Sequence, residues 1–132
     1  KEFDSTSITR NIETRLGQGE FRKQLIALWG KCSVTEYARL DLLIASHIKP
    51  WRDSSNIERI DRFNGLLLTP NIDKLFDSGY ISFLDNGEII ISSALSSGEI
   101  IGLDLEKIQG LTHIYPENKS YLQFHRKEIF RK

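Results

Sequence analysis

The twenty residues "NGLLLTPNIDKLFDSGYISF", Asn64 to Phe83, constrain the fold of this chain most, because turn, strand and helix signals follow one another at short intervals. Asn64-Gly65 is a turn signal and "LLLTP" a short apolar segment ending at a proline. Pro70 can open a helix "NIDKLFD" that Gly79 closes. The next stretch, "YISFLDNGEIIIS", reads as two β-rich runs joined by Asp85-Asn86-Gly87, a hairpin signature. An α+β class follows.

With 132 residues the chain has room for one globular domain and its core. In "GQGEFRKQLIALWG", Phe21, Leu25, Leu28 and Trp29 fall at i, i+4, i+7 and i+8, the stripe of an amphipathic helix, and Gly30 sits where such a helix ends. Residues 1–14 are polar and read as a lead-in or a short helix. "KCSVT" reads as a short extended piece, and "EYARLDLLIASHI" carries a short helix or a strand into His47, with Pro50 opposing helix just before it. "WRDSSNIERIDRF" is expected to be a loop, and "SALSSGEIIGL" a loop with a further strand. At the end of the chain Tyr121, Phe124, Ile129 and Phe130 form a helical stripe.

Eighteen basic and eighteen acidic residues give a formal net charge of zero, so any polyanion site must be local. The charges are uneven. Segment 73–106 has Lys74 as its single basic residue, whereas the first 62 residues and the last dozen are richer in Arg and Lys. Cys32 is the single cysteine, which excludes an internal disulfide and a multi-cysteine zinc site and suits a reducing compartment. No apolar run approaches the ~18 to 20 residues that cross a bilayer. The expectation is a soluble, cytoplasmic protein without membrane contact. The chain begins "KEFD" and has no methionine, so it is expected to be part of a longer protein.

Two features carry chemistry. His47, in "ASHIKPW", is either a hydrogen-bonded structural histidine or a reagent. Asp73 and Asp77 lie four residues apart, so one helix face can present both carboxylates to a hard divalent cation, or they form the polar side of a helix whose Leu75 and Phe76 are core. Asn64 stands 17 residues after His47, and Asp73 nine after Asn64.

Taken together, "ASHIKPW" and "FNGLLLTPNIDKLFDSGYISF", with the upstream "TRLGQGEFRKQLIALWGKCSVT" and the terminal "YLQFHRKEIF", resemble the HNH endonucleases, or ββα-metal nucleases. Within them the chain resembles the branch with "HIKPW" followed by "NGLLL" and "LFD", found in restriction-type and anti-phage nucleases. The resemblance implies a ββα-metal motif, its core at about 32–83, inside a single domain 1–132 with flanking helices and a C-terminal hairpin. His47 then stands at the general-base position, Asn64 at the middle Asn, Asp73 at the final ligand position and Asp77 one turn on, at an additional ligand position used by some members. Ser46 occupies the position before the base, where many members carry a metal-binding His or Asp. Water or a carboxylate such as Asp53 or Asp61 then completes the shell. Asp73 replaces the more common His, and oxygen ligands favour Mg²⁺ or Mn²⁺ over Zn²⁺ and Ni²⁺.

These residue types suit phosphodiester hydrolysis. A neutral imidazole can take a proton from water near neutral pH, and Asn64 can hold that imidazole, or its loop, in place. Lys49, Arg52, Arg59 and Arg62 are candidate phosphate contacts, or ordinary loop charges. Arg15, Gln18 and Arg22 either brace the fold or line the nucleic-acid face. His113 reads as structural or surface, His125 as packing beside the catalytic helix or touching DNA with Arg126, and Trp29 and Trp51 as core or loop anchors. The expected partner is double-stranded DNA, with selectivity from a fused or associated recognition or sensor domain, and a homodimer is compatible with this reading. The rival is a catalytically inactive HNH-like module for DNA binding or assembly, motivated by Ser46 and the neutral net charge.

Overall fold

The computed structural model describes residues 5–132, with side chains described from residue 16 onward. Helix α1 (Ser5–Trp29) runs further toward the N-terminus than the stripe alone predicts, taking in the lead-in from residue 5. Phe21, Leu25 and Trp29 are its buried face. Gly30 ends it at φ +72°, its N–H donating to Ile26 O at 2.8 Å, a left-handed cap that a residue without Cβ adopts at little cost.

The segment "KCSVT" is a turn, not the expected extended piece. Ser33 explains why. Its N–H donates to Leu67 O at 2.7 Å and its hydroxyl accepts from Leu67 N at 3.0 Å, so one residue covers the outer edge of the strand at that point. Strand β1 (Ile44–His47) resolves the helix-or-strand alternative before His47. It pairs antiparallel with β2 (Gly65–Leu68), with Ile44 opposite Leu68 and His47 opposite Gly65. Leu66, Leu67 and Leu68 are fully buried, as a strand covered on both faces requires. Gly65 has extended backbone, so its glycine serves close approach: a Cβ there would lie 2.5 Å from Phe21 Cζ.

The connection from β1 to β2 corrects the loop expected from "WRDSSNIERIDRF". It contains α2 (Asn56–Ile60), whose N-terminus is closed by a capping box in which Ser55 and Glu58 satisfy each other's backbone donors. After β2, Pro70 opens α3 (Pro70–Asp77), which buries Ile72, Leu75 and Phe76, and Gly79 turns the chain at φ +82°. Strands β3 (Ile81–Phe83) and β4 (Ile89–Ile91) form the expected hairpin. "SALSSGEIIGL" carries α4 (Ser97–Gly102), not a strand, again started by a capping box, Ser96 with Glu99. The chain ends in α5 (Lys119–Phe124) and a π-helical turn, His125–Ile129, in which Leu122 and His125 are buried while the expected stripe is half-buried. The class is α+β: β1, β2 and α3 make a ββα unit, with α1 packed against both strands and α3 against β1.

His125 ties the end of the chain to α3. Its Nε2 lies 2.8 Å from Phe76 O and its Nδ1 2.7 Å from Ser82 Oγ, so Nε2–H donates to the carbonyl and Nδ1 accepts from the hydroxyl. The ring stacks on Phe76 at 3.8 Å. Burial holds its pKa down to about 4, against the favourable Phe76 carbonyl and Asp77 and with Arg126 lowering it further. The unfolded chain therefore binds a proton between pH 6.5 and about 4 that the native chain refuses, and stability falls as pH falls through that window. The full effect is about 3 kcal/mol. Urea unfolding between pH 6.5 and 5 should show a falling midpoint, with a flatter dependence in His125→Gln; a flat wild-type midpoint contradicts this assignment.

Candidate active site

His47 closes β1 and is half-buried between two aromatic rings. Phe21 of α1 stacks on it at 4.0 Å and 6°, and Trp51 meets it edge-on at 5.9 Å. Its Nε2 lies 2.8 Å from the backbone carbonyl of Arg59 in α2. A carbonyl only accepts, so Nε2 carries the proton and Nδ1 is left as the basic nitrogen. Burial lowers its pKa below the ordinary 6.5, the Arg59 carbonyl opposes this by favouring the imidazolium, and the Arg59 charge lowers it further. The imidazole is thus neutral and in one tautomer at neutral pH.

Asn64 does not touch His47. It is fully buried and holds the loop that does. Its Oδ1 accepts from Lys49 N at 2.8 Å, and its Nδ2 donates to Glu58 O at 3.0 Å and Ser54 Oγ at 3.3 Å. One side chain thereby joins the start of the loop to α2, one residue before the carbonyl that orients His47.

Ser46, next along β1, is buried on the other face, beside α3. Asp73 sits there half-buried. Desolvation raises its pKa, the Ser46 hydroxyl opposes the rise, the neighbouring charge of Asp77 adds to it, and Lys74 lowers it. Asp77 is exposed one turn on. Among the described residues no three His, Cys, Asp or Glu side chains converge on one point; the oxygen groups that neighbour one another here are Asp73, Asp77 and the Ser46 hydroxyl. Such a set fits a hard divalent cation. A magnesium-type ion binds through one or two carboxylates and keeps several waters, and its charge would offset the desolvation and repulsion at Asp73.

The other candidates separate. Asp61 is occupied, accepting from Phe63 N at 3.0 Å through Oδ1 and from the Tyr121 hydroxyl at 2.6 Å through Oδ2. Asp53 lies 3.8 Å from the Arg52 guanidinium. Lys49 pairs with Glu58 at 3.0 Å, and Arg59 stacks on Trp51 and donates to its carbonyl at 3.0 Å. Arg52 and Arg62 are exposed. Arg22 braces the fold, donating to the Leu43 and Leu40 carbonyls, and Arg126 donates to Phe83 O and pairs with Asp85. Gln18 is exposed, the Arg15 side chain lies outside the described residues, and exposed His113 rests against Tyr115. A cleft of about 1410 Å³ lined by Glu36, Asn71, Glu88 and Asp104 contains neither His47 nor Asp73.

Sequence reasoning did not find Phe21 as the His47 platform or the Arg59 carbonyl as its orienting group. The second left no residue-type signal, since every residue has a carbonyl.

One ββα unit thus carries a strand-borne imidazole, a buried loop-clamping Asn and a carboxylate-bearing helix. Residues 32–84 match the family model HNH_2, described as HNH endonuclease, and this supports the HNH family for the part of the chain that carries the site. HNH proteins are nucleases acting on DNA and generally use a divalent metal. No curated protein matches the chain. Among the described residues no helix is long and apolar enough to cross a membrane.

Burial keeps His47 below 6.5, so a general-base role for it predicts activity that persists into mildly acidic pH. Rates measured over about pH 5 to 8 should give an acid limb with its midpoint below the free-imidazole value. A midpoint above 6.5 would remove His47 from the role of base.

Proposed function

We propose that this domain is a metal-dependent endonuclease that hydrolyses phosphodiester bonds of double-stranded DNA, with His47 as general base. The supporting observation is the hydrogen bond from His47 Nε2–H to Arg59 O, which leaves Nδ1 as the nitrogen that can accept a proton. Nδ1 takes a proton from water. The water oxygen attacks phosphorus, the bond from phosphorus to the 3′-oxygen breaks, and the leaving oxygen takes a proton from solvent. Asp73, with Asp77, would hold Mg²⁺ or Mn²⁺, which when bound would offset charge developing on the phosphate and the leaving oxygen. Phe21 and the Arg59 carbonyl keep the base oriented, and Asn64 keeps the carbonyl in place.

A restriction or anti-phage role, with sequence selectivity supplied by a fused or associated domain, is the setting suggested by the sequence resemblance. The absence of a three-ligand cluster among the described residues, together with Ser46, favours a second reading, an HNH-like binding or assembly module without activity. Plasmid nicking decides between them. Activity should appear with Mg²⁺ or Mn²⁺, vanish with chelator, fall about 10² to 10⁴-fold in His47→Ala, and be lost in Asp73→Ala. Metal-independent nicking, or full activity in Asp73→Ala, would move the site elsewhere, and no nicking under any metal would favour the inactive module.

DNA contact falls to Arg52 and Arg62, because Lys49 and Arg59 are engaged within the loop. Phosphate contacts release counterions, so a salt titration of binding should lose about 0.9 from its log–log slope for each contact removed. Arg52→Ala with Arg62→Ala should flatten the slope and weaken two unrelated duplexes equally. An unchanged slope would place the DNA on another face.

A further inference from the structure

We propose that Tyr121 is a positioning residue for His47, acting from the C-terminal helix through Asp61. The inference rests on the nuclease reading of His47 and goes beyond it, because residues 115–126 lie outside the segment that matches the family.

The segment touches the site's two supports at once. On the loop side, the Tyr121 hydroxyl donates to Asp61 Oδ2 at 2.6 Å, Asn118 Nδ2 donates to Phe63 O at 2.7 Å, and the Lys49 ammonium lies 5.0 Å from the Phe124 ring centre. On the helix side, the next residue, His125, donates to Phe76 O at the end of α3. Asp61 is the C-cap of α2, two residues past Arg59. Its other oxygen accepts from Phe63 N, so Asp61 is fixed from both sides.

A short path therefore runs from Tyr121 to Asp61, to the end of α2, to the Arg59 carbonyl, to His47 Nε2–H. α2 has only five residues and buries none of them, so its placement comes from outside contacts: α1 beside it, Asn64 Nδ2 on Glu58 O and Arg59 on Trp51. Its N-terminus is held by the capping box and by the Lys49–Glu58 pair. Its C-terminus is held by Asp61, and Tyr121 is the group that reaches Asp61 from another part of the chain. Because His125 locks the same segment to α3, the C-terminal residues set the placement of the base-orienting carbonyl relative to the carboxylate helix.

The test is Tyr121→Phe in the full chain, which removes one hydroxyl and keeps the ring. Two quantities are read on protein shown to be folded by circular dichroism. The first is the His47 tautomer, from its ring ¹⁵N shifts at pH 8: wild type should be the Nε2–H form, and the variant a mixture. The second is plasmid nicking in Mg²⁺, where kcat should fall about tenfold to a hundredfold with KM for DNA unchanged, as expected for a misplaced catalytic group. Asp61→Asn should give the same changes, and the double variant should be no worse than either single one. A folded variant with the wild-type tautomer and wild-type kcat overturns the proposal, as does a lower melting temperature with both quantities unchanged. If the wild type cleaves nothing, the nuclease reading fails, and the tautomer alone still decides whether Tyr121 positions His47.

Discussion

The hydrogen bonds of the Asn64 side chain hold the arrangement together. β1 and β2 are joined by a connection rich in backbone polar groups, and a connection of that kind normally lies in water. Here Asn64 is fully buried beneath it and takes up Lys49 N, Glu58 O and Ser54 Oγ together. Each buried group left without a partner would cost about 1–3 kcal/mol. These bonds tie Lys49, Ser54 and Glu58 to one side chain, and α2 presents the Arg59 carbonyl to the imidazole.

The base also depends on packing at a single glycine. Gly65 lies opposite His47 in the hairpin, and the space where its Cβ would be is filled by Phe21 and Leu25. Phe21 can then come close enough to stack on His47. The helix that supplies the core thus also supplies one wall of the site. Below the hairpin the same economy recurs, since buried His125 joins α3, the β3–β4 hairpin and the C-terminus.

Electrostatics here are local. A net charge of zero would suggest no affinity for a polyanion, yet the ionic groups around the loop divide into two kinds. Lys49 and Arg59 are spent on Glu58, Trp51 and the loop backbone, and they shape the protein. Arg52 and Arg62 face solvent. Asp73 is held partly out of water next to a second carboxylate, and both raise its pKa.

Much of this was legible in the residues. The stripe of Phe21, Leu25 and Trp29, the Pro70 and Gly79 boundaries of α3, and the Asp85-Asn86-Gly87 hairpin are local signals, carried by period and backbone preference. They determined the α+β class and put Asp73 and Asp77 on one helix, whereas the segment leading into His47 read equally as helix or strand until the pairing of β1 with β2 decided it. Two short helices, α2 and α4, were also written locally, in Ser55-x-x-Glu58 and Ser96-x-x-Glu99, but each is so short that its apolar pattern has no period to read. Tertiary structure alone decided the rest: that Lys49 and Arg59 brace the loop, that Asp61 bonds Tyr121 across sixty residues, and that His47 is oriented by a backbone carbonyl. The reason is physical. A residue's type tells what it can bond, whereas which partner it bonds depends on segments distant in the chain meeting in the folded protein, and a carbonyl carries no residue-type mark at all.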